Sequence, residues 1–166
     1  MKRRDWIMAT LAGMCAIRHV PAAAAAEAGN SLLPFDAATL AALRRAHAGR
    51  PFVLAFWSVY CEPCRDEMAE WQAVTQAHAA LPVVLVSTDT PADKALIDAF
   101  LLKYPPGRVE RRVFTDAMAE RVRYSVDKSW RGELPKTYFF DAAHRVEVKS
   151  GRVDRQWMAA WLTRQP

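Results

Sequence analysis

Phe52-Val53-Leu54-Ala55-Phe56-Trp57-Ser58-Val59-Tyr60-Cys61-Glu62-Pro63-Cys64-Arg65-Asp66-Glu67-Met68-Ala69-Glu70-Trp71 is the stretch from which the rest of the chain is read. Its first six residues are a continuous apolar run, suited to a strand buried on both faces of a sheet. A short bend follows, and then a Cys-x-x-Cys opens a helical-looking segment. The first turn of a helix carries backbone N–H groups without intrahelical partners and the positive end of the helix dipole. Both favour a thiolate, and such a setting lowers a cysteine pKa from about 8.5 to roughly 3.5–7.5. Cys61 is expected at or near the N-cap, facing solvent. Cys64, three residues on, shares its helical face, within reach of a short disulfide. Pro63 lacks an N–H, but a first-turn N–H has no intrahelical acceptor to lose.

Two other readings of the cysteines compete. A zinc site needs about four ligands, often a second Cys or His pair at short spacing. The chain offers only Cys15 besides this pair, and His19, His47, His78 and His144 are scattered singly. A static disulfide across so small a loop stabilises little. Redox chemistry at Cys61 and Cys64 is the stronger reading.

With these residues in view, the chain resembles the thioredoxin superfamily and, within it, TlpA/ResA-like thiol-disulfide oxidoreductases. The likeness is carried by Phe56 to Met68, by Glu133-Leu134-Pro135-Lys136-Thr137-Tyr138-Phe139-Phe140-Asp141, and by Val146-Glu147-Val148-Lys149-Ser150-Gly151. It spans roughly Asp36 to Leu162. The resemblance implies an α/β thioredoxin-like fold: a central mixed β-sheet flanked by helices, with a TlpA-type helix-strand insertion. It also implies Cys61 as the attacking thiol, Cys64 as the resolving thiol, and Pro135 in cis facing the dithiol after Leu134. No cofactor is implied. The implied partners are protein disulfides, apocytochrome c among them, and a membrane thiol reductant of the DsbD/CcdA type. The chain departs from the family at three points. Tyr60 stands where Trp is usual, Ala69 replaces a Pro, and Ala55 occupies the place where thioredoxin keeps a buried acid. The proton acceptor for Cys64 is therefore open. Glu62 is one candidate, and its plainer role is a favourable charge at a helix N-terminus. Tyr60 and Trp57 are expected to form an apolar rim. Trp130, in the polar segment Asp127-Lys128-Ser129-Trp130-Arg131-Gly132, is read as an exposed aromatic that docks a partner, the alternative being a loop aromatic packed on its own domain.

At 166 residues, 52% of them hydrophobic and 25% charged, the chain reads as one globular domain. Lys2, Arg3 and Arg4, the apolar run from Trp6 to Ile17 and the alanines Ala22 to Ala26 read as a cleaved export signal, residues 1–26, with an uncleaved anchor as the alternative. Residues 27–35 are then a linker and 36–166 the domain. The apolar run falls short of the about 20 residues that span a bilayer. Four basic residues and Asp5 leave with the signal, and the net charge falls from +5 to +2. The basic balance is largely a leader effect, so nucleic-acid binding is not expected. A periplasmic or extracytoplasmic monomer is.

Along the chain, Asp36 caps a short helix to about Leu43. The helix from Glu62 runs to about Ala80 with Met68, Trp71, Thr75 and His78 at helical spacing, His78 near its end being read as a surface or dipole-complementing residue. Val83–Ser87 is a second strand. A helix from Pro91 or Ala92 to Lys103 carries Leu96, Phe100 and Tyr104 as its apolar stripe. Arg111–Thr115 is a strand and Ala117–Tyr124 a helix. Thr137–Asp141 and Arg145–Ser150 form a hairpin with His144 in solvent. Asp154–Leu162 is the last helix, with Trp157, Met158 and Trp161 in the core. Three other activities remain: a thiol peroxidase, from Ser58-Val59-Tyr60-Cys61; a copper-binding redox chaperone, whose usual cysteine spacing is three rather than two; and a disulfide-introducing oxidase.

Arg3-Arg4 fits a twin-arginine signal as well as an ordinary secretory one. Replacing both by lysine and following export separates the two: blocked export marks the twin-arginine route, and unchanged export rules it out.

Overall fold

The structure is a computed structural model and describes residues 31–165; the export signal, Cys15 and the start of the expected linker lie outside them. Six strands form one mixed sheet in the order β1-β4-β3-β2-β5-β6. They are β1 (Leu32–Phe35), β2 (Phe52–Trp57), β3 (Val83–Ser87), β4 (Glu110–Phe114), β5 (Lys136–Phe140) and β6 (Val146–Ser150). The helices are α1 (Thr39–Ala46), α2 (Glu62–Ala77), α3 (Lys94–Lys103), α4 (Ala119–Val126) and α5 (Arg155–Leu162). Strand β2 runs parallel to β3 and antiparallel to β5. Strand β4 runs parallel to both β3 and β1, and β6 closes a hairpin on β5.

All six residues of β2 are buried because helices cover both faces of the sheet. Val53, Ala55 and Trp57 meet Met68 and Trp71 of α2, Ile97 and Leu101 of α3, and Met158 and Trp161 of α5. Phe52, Leu54 and Phe56 face the other way, toward Leu43 of α1, Val122 of α4 and Trp130. The two-residue period of the strand divides one apolar run between two cores. The helix-strand insertion is α3 and β4, between β3 and α4, and β4 joins the sheet beside β3.

Several sequence expectations need correction. Leu32–Phe35 is not linker but an edge strand on β4. Its four residues are too few for a readable alternation, and Pro34 argues against a strand unless the strand lies at an edge, as it does. Helix α1 begins at Thr39, while Asp36 Oδ1 accepts hydrogen bonds from the Ala38 N–H and the Thr39 hydroxyl. Helix α2 ends at Ala77. A turn of 3-10 helix, Pro91–Asp93, precedes α3, whose buried residues are Ile97 and Leu101; Leu96 is exposed. His144 does not sit free in solvent. It occupies the left-handed region (φ 58°) at the hairpin turn, with its ring against Phe52 and Nε2 3.1 Å from the His47 carbonyl.

Gly107, after α3, takes φ +81°, and a methyl group there would stand 2.2 Å from Thr75 Oγ1 and 3.1 Å from the Gln72 Cα. Gly49 takes φ +74° with open space around it. Gly49→Ala is therefore expected to cost about 1 kcal/mol from the backbone alone. Gly107→Ala should cost about 2–3 kcal/mol, because Thr75, which donates to the Trp71 carbonyl and accepts from the Arg108 N–H, must also give way. Urea unfolding of the two variants measures the difference.

Candidate active site

Strand β2 delivers the chain to the N-terminus of α2 through four residues, Ser58 to Cys61. The Cys61 N–H donates to the Ser58 carbonyl at 3.1 Å and closes the turn. Cys61 is then the N-cap of α2, in extended conformation, and its sulfur accepts the Cys64 N–H at 3.2 Å. Glu62 and Pro63 fill the first two helical positions, where the missing N–H of proline removes no helical bond. Cys61 and Cys64 form a disulfide with Cα atoms 5.2 Å apart. The two sulfurs are not equivalent: Cys64 is fully buried and Cys61 only half-buried. Leu134-Pro135 is a cis peptide. Pro135 is buried one residue before Lys136, which pairs with Phe56, so it stands level with the end of β2.

The remaining residues singled out in the sequence divide. Tyr60 is 78% exposed beside Cys61, and Leu134 is half-buried against both cores. Trp57 is not a rim residue: its side chain is buried on the α2 face, 4.9 Å from the Phe100 ring. Trp130 is not exposed either. It packs 4.5 Å from Phe56, and its indole N–H donates to the Glu133 carbonyl at 3.0 Å. A polar local sequence hid an aromatic whose partners lie on β2 and β5. Glu62 points to solvent and pairs with Arg65 at 3.3 Å, which suits a helix-end charge and not a proton acceptor for buried Cys64.

The acid with the right surroundings is one the sequence reading passed over. Glu67 lies three residues after Cys64, on the same face of α2, and is 1% exposed. Its carboxylate accepts the Val153 N–H at 2.7 Å. Burial pushes its pKa up to about 7. The Val153 N–H, the Trp71 indole, which approaches without completing a hydrogen bond, and the Arg152 charge all pull the other way. A charged residue flanked by Met68 and Asp66 in a helical pattern gives no sign of facing inward; only its spacing from Cys64 could have flagged it.

A second buried acid, Asp89, follows β3. It accepts from the Ser58 hydroxyl at 2.6 Å, the Val59 N–H at 3.0 Å and the Ser87 hydroxyl at 2.6 Å. Among the described residues, no three of His, Cys, Asp and Glu converge in a way that could hold a metal ion, and no helix is long and apolar enough to cross a membrane.

This sheet order, with a disulfide between the end of β2 and the start of α2 and a cis-proline opening β5, defines a thioredoxin-like fold. The family model described as AhpC/TSA family matches residues 33–149, and the chain belongs to that family. Solved structures agree at the level of the fold. A secreted Mycobacterium tuberculosis disulfide oxidoreductase, described as homologous to E. coli DsbE, is 20% identical, with 72% of this chain and 84% of that one covered and a TM-score of 0.57. A thiol:disulfide interchange protein of the thioredoxin family from Chlorobium tepidum is 16% identical, with 72% and 82% covered and a TM-score of 0.58. StoA from Bacillus subtilis is 17% identical, with 69% and 84% covered and a TM-score of 0.52. No curated protein sequence matches the chain.

Glu67 makes stability depend on pH in a defined direction. Between its ordinary value of 4.5 and about 7, the unfolded chain releases this proton while the folded chain keeps it. The stability contributed at low pH is therefore lost as pH rises through that window, by up to about 3 kcal/mol. Glu67→Gln removes the dependence. Urea unfolding of the oxidised protein from pH 4 to 8 should show wild type losing ground to Glu67→Gln as pH rises.

Proposed function

We propose that the protein is an exported thiol-disulfide oxidoreductase that reduces disulfides in other exported proteins. The observation that carries this reading is the unequal pair at the start of α2: a half-buried Cys61 whose sulfur accepts a helix N–H, disulfide-bonded to a fully buried Cys64. In the reduced form the Cys61 thiolate attacks one sulfur of a substrate disulfide. The substrate bond breaks, its other sulfur leaves as a thiolate, and a mixed disulfide forms. Cys64 then loses its proton and attacks Cys61 Sγ, which closes the Cys61–Cys64 bond and releases the second substrate sulfur. Two electrons pass from protein to substrate. Glu67, buried three residues from Cys64 on the same face of α2, is the group assigned to take the Cys64 proton, and burial pushes its pKa up to about 7.

Tyr60 and Leu134 offer an apolar surface to the substrate, and the backbone beside Pro135 pairs with its extended segment. The substrate class that fits the family resemblance is an exported protein with paired cysteines, such as apocytochrome c, and the electrons then come from a membrane dithiol reductant. The signal-like residues 1–26 support an extracytoplasmic location. The thiol peroxidase reading asks Ser58 to serve Cys61. Its hydroxyl instead donates to Asp89 and accepts the Tyr60 N–H.

Cys61→Ser should abolish reduction of a disulfide-bonded test protein. Cys64→Ser should attack once and accumulate a mixed disulfide, seen as a mass adduct. The reduction potential, measured in defined thiol–disulfide buffers, sets the direction. A value near or below about −270 mV supports the reductant, while one approaching about −120 mV makes the protein a disulfide donor. Rapid peroxide consumption without protein-disulfide reduction would overturn the proposal.

A further inference from the structure

Ser58, Ser87 and Asp89 form a closed network under the turn that presents Cys61. Ser58 and Asp89 are each 8% exposed and Ser87 is fully buried. The Tyr60 N–H donates to Ser58 Oγ at 3.1 Å, so the Ser58 hydroxyl turns its own hydrogen to Asp89 Oδ1 at 2.6 Å. The Asp89 N–H donates to Ser87 Oγ at 3.1 Å, and the Ser87 hydroxyl donates to Asp89 Oδ2 at 2.6 Å. The Val59 N–H donates to the same Oδ2 at 3.0 Å. Next to Asp89, the Thr88 N–H donates to the Trp57 carbonyl at 2.8 Å. The Ser58 and Ser87 hydroxyls and the Val59 N–H all direct their hydrogens to the carboxylate. An amide at position 89 would replace one of these acceptors by an NH2 group, and the Ser58 hydroxyl, which already accepts the Tyr60 N–H, would lose the acceptor for its own hydrogen.

Resting on the reading of Cys61 as the exchanging thiol, we propose that Asp89 is a positioning residue for it: the carboxylate clamps the Ser58–Cys61 turn to the end of β3 and so holds the Cys61 sulfur on the Cys64 N–H. The thiolate is favoured only while sulfur and donor stay aligned. With the clamp released, the turn loosens and the Cys61 thiol becomes less acidic. A charge effect acting through space has the opposite sign, because removing a carboxylate near a thiolate makes the thiol more acidic. The other ionisable groups on the elements framing Cys61 are accounted for: Glu62 pairs with Arg65, Glu133 pairs with Lys136, and Glu67 lies deeper on α2.

The test is the pH profile of iodoacetamide alkylation at Cys61 in the reduced full-length protein, with the modified peptide identified by mass. Wild type, Asp89→Asn and Ser58→Ala are compared, with thermal unfolding run alongside. The expected result is a slower reaction at pH 6 in both variants, by about fivefold in Asp89→Asn, the effect of losing one capping-type hydrogen bond. The profile then shifts to higher pH. A profile shifted to lower pH assigns the effect to charge alone and overturns the proposal. An unchanged profile with a lowered Tm makes the network merely structural and overturns it equally. If Asp89→Asn does not fold, Ser58→Ala decides on the same criteria. Alkylation needs no substrate, so the result can be read even if wild type fails to reduce protein disulfides, a failure that would count against the proposed function alone.

Discussion

Everything in this structure is arranged around one abrupt change of backbone: β2 is buried on both faces to its last residue, and a helix begins five residues later. A strand ending inside a core leaves backbone groups that must be satisfied, and a helix start exposes N–H groups that have no intrahelical acceptor. The turn from Ser58 to Cys61 resolves both demands. Its carbonyl and hydroxyl at Ser58, the Asp89 carboxylate and the Cys61 sulfur take up the Val59, Tyr60, Cys61 and Cys64 N–H groups. The cysteine is thus part of the cap that starts the helix, and its chemistry and the folding of this corner rest on the same hydrogen bonds.

The two cores divide the work of holding that corner. The α2 face packs Trp71, Met68 and Trp161 beneath the helix and fixes its axis. The opposite face uses aromatic contacts, with Phe56 between Phe35, Trp130 and Tyr138, to hold the loop that leads to Pro135. Tyr138 hydroxyl donates to Asp127 at 3.2 Å, and Lys136 Nζ reaches Glu133 and Ser150 at 2.8 Å each. The polar segment 127–133 is ordered by residues of β5, which explains why Trp130 is inside although its neighbours in sequence are nearly all polar.

Placement of acids illustrates how burial redistributes a chemical task. Ala55 leaves the strand beneath the dithiol apolar, and the buried carboxyl on that side of the sheet comes from α2, through Glu67. The acid inside the motif, Glu62, is more visible in sequence and faces water with an arginine partner. Five residues along α2 separate the solvated charge of Glu62 from the desolvated one of Glu67, and at about 3.6 residues per turn that spacing is about 140° beyond a full turn, which points one outward and the other inward.

The sequence by itself determined the strand-bend-helix unit at 52–71, the cysteine pair and its setting, the second strand, the closing hairpin and the inward tryptophans of the last helix. These are local: apolar runs, a helix-opening motif and periodicity carry their own evidence. Tertiary structure alone decided that Leu32–Phe35 joins the sheet, that Trp57 and Trp130 are core, that His144 packs on Phe52, and that Glu67 and Asp89 are buried acids. Each of those outcomes depends on a partner far along the chain: β4 for Leu32–Phe35, α3 for Trp57, Val153 for Glu67, and Ser58 for Asp89. Propensity reports what a residue does among its neighbours in sequence. Burial and hydrogen bonding across about thirty to ninety residues arise only once the sheet has brought those partners together.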